Sequence, residues 1–275
     1  MSTIVSLTST SFRLPVLRHN LESLINQSIK PDKILLNISK DPYLADEGID
    51  KLPLWLDELS KSNKITIQWV ENIGSYRKLL PVYSFANDDD LIITCDDDVI
   101  YGEYWLESLL NTAKLNPNRI VCGGARKPAK SIGNKYQSYI NWPLVNAGSS
   151  GHDLIPIGVY GIVYRKKLLD NHIIYSKIFK ELAPKQDDLW FKFAHELKGT
   201  EVVVCKHAGN EVYPINTPTT LSSTNMSVRL PKWSIKTIMP ALAARLALKA
   251  KARLGVATCD NDIAFRKIQH YKSEL

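Results

Sequence analysis

A run of apolar and β-branched residues stops abruptly on three aspartates in the segment LIITCDDDVIY, residues 91–101. Such a run, bounded by polar residues, predicts a buried strand whose carboxyl end carries Asp96, Asp97 and Asp98. Side chains two apart in extended chain share one side, so Asp96 and Asp98 should converge while Asp97 faces away. Two close carboxylates repel unless a cation lies between them, and their hard oxygens suit Mg²⁺ or Mn²⁺. A solvated acidic turn is the alternative interpretation.

The start of the chain predicts a parallel α/β sheet. Ile4–Thr8 and Lys33–Ile38 are apolar strand-like runs, and leucines at helical spacing predict a helix over residues 16–28 between them. A β-α-β unit of this kind has a right-handed crossover and places its two strands side by side in parallel.

Polar and basic groups follow two of the predicted strands. Lys78 precedes a helix after the third strand and is expected beside the aspartates, at the carboxyl edge where open α/β sheets bind ligands. For this segment and for the loop after the first strand, the alternative is that the polar side chains are simply solvated. The loop after the first strand offers hydroxyl groups and a guanidinium group that can grip the phosphates of a nucleotide: Thr8, Ser9, Thr10, Ser11 and Arg13.

A second acidic pair, Asp187 and Asp188, opens a helix that is predicted to continue to Gly199. The helix dipole favours acids in a first turn, so helix capping is one interpretation of the pair. The other is catalytic, because a metal-assisted group transfer requires a metal-competent carboxylate pair and a separate general base. Residues 125–153 form a long polar loop, and loops of this length in a compact domain tend to be functional or mobile.

Composition narrows the class of protein. The 275 residues are 44% hydrophobic and 23% charged, as in an ordinary globular chain with a sizeable core. No apolar run approaches the roughly 20 residues that span a bilayer, and the first residues do not resemble a signal peptide, so we expect a cytoplasmic protein. The four cysteines lack CxxC spacing, which favours buried free thiols over zinc ligands or disulfides.

The net charge of +7 is concentrated at the C-terminal end. Residues 229–275 contain ten Lys and Arg against three Asp and Glu, so residues 1–228 are formally neutral. This asymmetry indicates a basic appendage for an acidic partner and argues against a nucleic-acid-binding protein. We therefore divide the chain into a main domain, residues 1–228, and a basic helical extension, residues 229–275.

The extension contains a basic amphipathic helix predicted over Lys232–Arg253, with six basic residues and no acidic ones. Leu242 and Leu246 fall at helical spacing on one face, and Lys249 and Arg253 fall on another. Such a helix can lie on an anionic membrane surface. Packing of the helix on the main domain is the alternative.

Four segments between residue 4 and about residue 199 resemble, in the expected order, the family 2-like glycosyltransferases of bacterial surface-polysaccharide synthesis. They are VSLTSTSFRLPVLRHNLESLINQSIKPDKILLNIS, YRKLLPVYSFANDDDLIITCDDDVIYGEYWL, IPIGVYGIVYRKKLL and QDDLWFKFAHELKG. The resemblance implies the GT-A fold, a Rossmann-like α/β fold with a mixed, mostly parallel sheet flanked by helices, here followed by the basic helical tail. The nucleotide-sugar half would span about residues 1–100 and the acceptor half about residues 101–228.

The same resemblance implies transfer of a sugar from a nucleotide donor, most often a UDP-sugar, to a hydroxyl of a glycan or lipid-linked glycan. Asp96 and Asp98 would engage the diphosphate through Mn²⁺ or Mg²⁺, and His207 is the candidate third metal ligand. An exposed histidine after a strand is the alternative for His207. A lipid-linked acceptor would place the enzyme at the inner face of the plasma membrane.

Further roles follow from the resemblance. Asp188 would be the general base that deprotonates the acceptor, with Asp187 as the alternative base. A lone base opposite the leaving group suffices for an inverting displacement, and a retaining transferase is the close alternative. The residues implied to face the nucleotide are Thr8, Ser9, Thr10, Ser11, Arg13, Lys78 and Asp97.

Two rivals come from other classes. A sugar nucleotidyltransferase normally has a glycine-rich loop after the first strand, and the segment LTSTSFR contains no glycine. A non-catalytic glycan- or lipid-binding protein would carry the same acids as helix caps, and Asp98→Ala would then leave its binding unchanged.

Overall fold

The computed structural model describes residues 1–62, 65–215 and 238–275. The N-terminal half alternates strands and helices, as the sequence predicts. Its four strands run parallel in the spatial order β3-β2-β1-β4. The elements are β1 Thr3–Thr8, α1 Leu14–Ile25, β2 Lys33–Ile38, α2 Leu54–Ser62, β3 Ile65–Trp69, α3 Leu80–Phe85 and β4 Leu91–Thr94.

The second half continues the same sheet with strands of both directions. Its elements are β5 Val99–Tyr101, α4 Trp105–Leu115, β6 Ile120–Cys122, β7 Ala125–Arg126, β8 Ser150–Gly151, β9 Ile155–Pro156, β10 Ile162–Tyr164, α5 Asn171–Tyr175, α6 Phe179–Leu182, α7 Asp187–Leu197, β11 Val202–Val204 and β12 Val212–Pro214. Within the described residues the main sheet has eight strands, in the order β3-β2-β1-β4-β10-β6-β11-β8. Strands β10 and β8 run antiparallel to their neighbours, so the predicted mixed, mostly parallel sheet is confirmed.

Alternating side chains of the strands enter two hydrophobic cores, one on each face of the sheet. On β1, Ile4 belongs to the core that also contains helix α7, and Val5 belongs to the core that contains α1 and α4. Helices on both faces cover the strands, which explains why the strands are apolar along their whole length. The four cysteines are buried and free, as predicted.

The C-terminal residues form two helices, α8 Ile238–Arg253 and α9 Asp260–Ser273. Helix α9 contacts α6 and α7, and Ala264, Phe265 and Ile268 are buried in the core of the main domain. The last helix is therefore part of that core, although the sequence assigned it to an extension. The predicted boundary at residue 228 lies outside the described residues.

Helix α8 also packs on the main domain. Leu248 and Ala252 are buried, and the carbonyl of Ala252 accepts a hydrogen bond from the backbone of Ser138 at 2.9 Å. Leu242 and Leu246 are exposed. The predicted start of this helix at Lys232 lies outside the described residues. Among the helices that are described, none combines the length and the apolar character that crossing a membrane requires.

Candidate active site

The three aspartates lie at the carboxyl edge of β4, in a turn whose backbone is held by a helix on one face of the sheet. The side-chain amide of the buried Asn20, on α1, donates to the carbonyls of Asp96 and Val99 at 2.8 and 2.7 Å. Strand β12 closes the other side of the turn, because the N–H of Ile215 donates to the carbonyl of Asp98 at 2.8 Å. The prolines and the many Ser, Thr and Asn residues between residues 210 and 231 predict a long loop. Strand β12 was therefore missed, and residues 216–231 lie outside the described residues.

Asp97 turns inward and binds the loop after β1. Ser9 Oγ donates to its carboxylate at 2.6 Å, and Arg13 Nη1 lies 2.6 Å from its other oxygen. Arg13 also reaches Asp98, with Nη2 3.0 Å from Oδ2. Burial raises the pKa of Asp97 to about 6, although Arg13 and Ser9 act in the opposite direction. Ser9, Arg13 and Asp97 thus hold one another, where the sequence predicted that all three face the nucleotide.

Lys78 lies at the centre of the acidic groups. Its Nζ is 3.1 Å from Asp96 Oδ1, 2.9 Å from Asp187 Oδ2 and 3.8 Å from Asp188 Oδ1. The side chain is only 6% exposed, and burial alone would lower its pKa, but the three carboxylates raise the pKa well above its usual value. The lysine therefore stays charged and joins Asp96, one of the two predicted metal-binding aspartates, to the predicted general base.

Asp188 lies in the first turn of α7 and faces a 3₁₀ turn, Gly158–Tyr160. The N–H of Gly158 donates to Asp188 Oδ2 at 2.8 Å. Burial raises the pKa of Asp188 to about 7, although Lys78 and the Gly158 amide act in the opposite direction. A carboxylate whose pKa lies near neutral pH is suited to accept a proton in catalysis.

Position 158 lies very close to the charged ends of Lys78 and Asp188. A Cβ at this position would lie 2.6 Å from Lys78 Nζ and 3.0 Å from Asp188 Oδ1. Two aromatic side chains fix the turn: Tyr101 Oη donates to the carbonyl of Val159 at 3.0 Å, and Trp105 Nε1 donates to that of Tyr160 at 2.9 Å. The turn thereby presents the Gly158 amide to the base.

A buried ion pair supports the loop from behind. Arg77 Nη2 lies 3.0 Å from Asp46 Oδ2 and 3.2 Å from the carbonyl of Ser9. Asp46 also accepts hydrogen bonds from Asn72 Nδ2 and from the N–H of Ser11, at 3.1 and 3.2 Å. Sequence reasoning missed Asp46, which lies in a segment without periodicity.

A row of polar side chains crosses the carboxyl ends of the first three strands. Thr8, Asn37 and Gln68 are register partners on β1, β2 and β3, so they share one face of the sheet. Thr8 Oγ1, Asn37 Oδ1 and Gln68 Oε1 are buried without a hydrogen-bond partner among the described residues, and Thr10 Oγ1 is in the same state. Buried polar atoms are normally hydrogen-bonded, so a ligand at this edge would satisfy them.

The third metal ligand predicted at His207 is not found. His207 is exposed, just before the 3₁₀ turn Ala208–Glu211. No group of three or more His, Cys, Asp and Glu side chains in the described ranges is arranged to hold a metal ion, so His207 does not join Asp96 and Asp98. The direction of a side chain after a short strand depends on tertiary packing, which spacing along the chain does not reveal.

The mixed, mostly parallel sheet with helices on both faces is the GT-A fold. The family model described as glycosyl transferase family 2 matches residues 9–174, more than half of the chain. The protein therefore belongs to that family, as the four sequence segments indicate.

Two solved structures are similar in fold. A crystal structure of S. aureus TarS residues 1–349 in complex with UDP has 12% identity and a TM-score of 0.51, and the match covers 79% of this chain and 61% of the TarS chain. The complex of the same protein with UDP-GlcNAc has 13% identity and a TM-score of 0.54, with 83% and 62% covered. The chain thus spans less than two thirds of the TarS chains that it matches. No curated protein sequence matches it.

Proposed function

We propose that the protein transfers a sugar from a nucleotide-sugar donor, a UDP-sugar, to a hydroxyl of a glycan or lipid-linked glycan, in a metal-dependent, inverting reaction. The observation that carries the proposal is the position of Lys78. Its ammonium group brings Asp96, at the β4 edge, and the carboxylate of Asp188 into one site. The donor's diphosphate and the acceptor's base would then lie side by side.

The donor would bind along the carboxyl edge of β1 to β4. Thr8, Thr10, Asn37 and Gln68 offer unpartnered polar atoms to the nucleoside, and Lys78 offers its ammonium group to the diphosphate. The UDP complexes of TarS, which shares the fold, support this choice of donor class. Arg13 and Asp97 would act indirectly, by holding the loop after β1 in place.

The carboxylates of Asp96 and Asp98 fit a hard divalent cation. Each engages a basic side chain through one oxygen, Lys78 for Asp96 and Arg13 for Asp98, and has a second oxygen for a metal. Sites for Mg²⁺ and Mn²⁺ often use one or two carboxylates and complete the shell with water and substrate phosphates. When bound, Mn²⁺ or Mg²⁺ would neutralise the charge that develops on the diphosphate.

Asp188 would accept the acceptor's proton. The acceptor oxygen forms a bond to the anomeric carbon as the bond from that carbon to the diphosphate oxygen breaks. The electron pair of the broken bond leaves with the diphosphate, and the hydroxyl proton passes to Asp188. One base on the side opposite the leaving group suffices for such a displacement, which inverts the anomeric configuration. Asp187 is bound more tightly to Lys78 than Asp188 is, which favours Asp188 as the base.

Helix α8 would attach the enzyme to an anionic membrane surface. Leu242 and Leu246 are exposed on this helix, and Lys249, Lys251 and Arg253 are exposed towards its end. Exposed leucines next to basic side chains are typical of helices that lie at a lipid interface. The enzyme would then lie in the cytoplasm, within reach of a lipid-linked acceptor at the inner face of the plasma membrane.

Thermal unfolding in the presence of nucleotides tests the donor. A ligand that binds the folded state raises the unfolding midpoint, and no acceptor is needed. We expect UDP and at least one UDP-sugar to raise the midpoint in the presence of Mn²⁺, and uridine, which lacks the diphosphate, to have little effect. A panel in which no nucleoside diphosphate or nucleotide-sugar shifts the midpoint would exclude the proposed function.

A further inference from the structure

A cavity of about 370 Å³ lies next to the proposed general base, on another face of helix α7. Its walls come from α7, from α9, from the segment before β9 and from the long loop after β7. Ligand pockets occupy about 300–1,000 Å³, so the cavity has the size of a small ligand site. The polar residues that line it are Lys130, Tyr136, Asp153, Lys192, Glu196 and Gln269.

The cavity and the base share two elements of the fold. On α7 the lining begins at Leu189, directly after Asp188, and continues at Lys192, which lies about 6 Å from Asp188 along the helix axis. On the opposite wall Ile155 lines the cavity, and the chain reaches Gly158, the hydrogen-bond donor to Asp188, three residues later. A molecule in the cavity would therefore lie beside the reacting hydroxyl.

The charged side chains that line the cavity itself are balanced, with Lys130 and Lys192 against Asp153 and Glu196. Lys192 Nζ lies 3.2 Å from Glu196 Oε2, and Asp153 forms an ion pair with Lys127 at 3.1 Å. Lys272 neutralises Glu196 further, at 2.7 Å. An anionic ligand such as a phosphate would meet as many acids as bases, so the lining favours a neutral molecule.

The remaining hydrogen-bonding capacity suits hydroxyl groups. Lys192 is nearly buried, and its ammonium group has three N–H donors, of which it uses one on the carbonyl of His152 and one on Glu196. The side chain of Gln269 has no hydrogen-bond partner among the described residues. Tyr136 and Phe265 add an aromatic surface, with ring centroids 5.0 Å apart. Hydrogen-bond donors and acceptors beside aromatic rings match a sugar ring, which has hydroxyl groups at its edge and C–H groups on its faces.

We propose that this cavity is an acceptor subsite that binds a neutral sugar unit next to the one whose hydroxyl reacts. The assignment rests on the proposed transferase function and adds to it the substrate class on the acceptor side. It also gives α9 a role, because this C-terminal helix forms one wall of the cavity.

Saturation-transfer NMR with four neutral sugars, glucose, galactose, mannose and N-acetylglucosamine, tests the subsite. The protein is saturated with UDP and Mg²⁺, which is diamagnetic and does not broaden the signals, so that the sugars do not report on the donor site. We expect at least one sugar to give a signal, and Gln269→Trp, which fills the cavity, to reduce that signal at least fivefold. The matched control is His270→Trp, on the same helix but exposed and outside the cavity, which should keep the signal.

Two outcomes overturn the subsite: no signal from any of the four sugars, or a signal that Gln269→Trp leaves unchanged. Tyr136→Ala, on the opposite wall, provides a second variant if Gln269→Trp does not fold, and it should weaken the signal at least threefold. The UDP-induced rise in unfolding midpoint is measured on the same samples. A normal UDP response without sugar binding overturns the subsite alone, whereas loss of the UDP response in the native protein overturns the proposed function.

Discussion

Asp188 accepts a hydrogen bond from the backbone N–H of Gly158 at 2.8 Å. This backbone donor fixes one of the two carboxylate oxygens. The basic side chain that approaches the other oxygen is Lys78, whose Nζ lies 3.8 Å away. The carboxylate is held in place yet remains able to accept a proton.

Asp188→Asn should abolish proton acceptance while preserving the shape of the site. A general base contributes about 10²- to 10⁴-fold to the rate, so we expect kcat to fall by that factor while the affinity for UDP stays within a few fold. Sugar transfer and UDP binding measure the two effects. Asp187→Asn is the comparison: if it abolishes transfer while Asp188→Asn does not, Asp187 is the base.

The rate should depend on pH near neutrality. The base must be ionised, and the pKa of Asp188 is raised to about 7, so the protonated, inactive form predominates below that pH. We expect kcat/KM to fall about tenfold per pH unit as pH decreases below about 7. A profile measured between pH 5 and 9 that stays flat down to pH 5 would contradict this assignment.

Gly158→Ala should impair catalysis because the added methyl group collides with Lys78 and Asp188. We expect kcat to fall at least tenfold, with the cooperative unfolding transition retained. Gly133→Ala is the matched control, since a Cβ there meets nothing within 4 Å. Equal activity of the two variants would show that the turn does not position the base.

Asp262→Ala should destabilise the protein by detaching α9. The buried carboxylate accepts hydrogen bonds from Ser138 Oγ and the Tyr139 N–H at 2.6 Å and from the Thr258 N–H at 2.7 Å. Leaving these donors unpaired should cost about 3 kcal/mol, measured by urea unfolding. Asp260→Ala, at the start of the same helix but only partly buried, should cost less than about 1 kcal/mol.

Leu246→Glu should weaken membrane binding through α8, because a charged side chain cannot enter the lipid interface. Co-sedimentation with vesicles of phosphatidylglycerol and phosphatidylcholine measures the effect, and we expect the bound fraction to fall at least threefold. Leu115→Glu, an exposed leucine at the end of α4, is the control. Equal binding of native protein to purely zwitterionic vesicles would argue against an electrostatic contribution.

Local patterns revealed the parts of the site that lie at strand ends. β2 begins and ends where the sequence predicts, and the apolar run before Asp96 forms β4, because a short apolar run bounded by polar residues has few other ways to be buried. Asp188 was found in the same way, since acids mark the start of α7.

The partners of these residues could not be read from the sequence, because they are far apart in the chain. From the sequence alone Arg13 could pair with any of several acids, and only the fold brings it to Asp97, 84 residues away. Asp46 and Asn20 carry no local signal, yet both hold the loops of the site. Helix α9 joins the core through long-range packing that the basic composition of residues 229–275 concealed.

Calorimetric titration of UDP tests the central claim, that the acidic edge of β4 is a metal-dependent nucleotide site. We expect native protein to bind UDP in the presence of Mn²⁺, and to bind it at least tenfold more weakly after removal of the metal or after Asp98→Asn. Asp88→Asn, an exposed acid in the turn before β4, is the matched control and should bind as the native protein does. Binding of UDP that is indifferent to both Mn²⁺ and Asp98 would contradict the account.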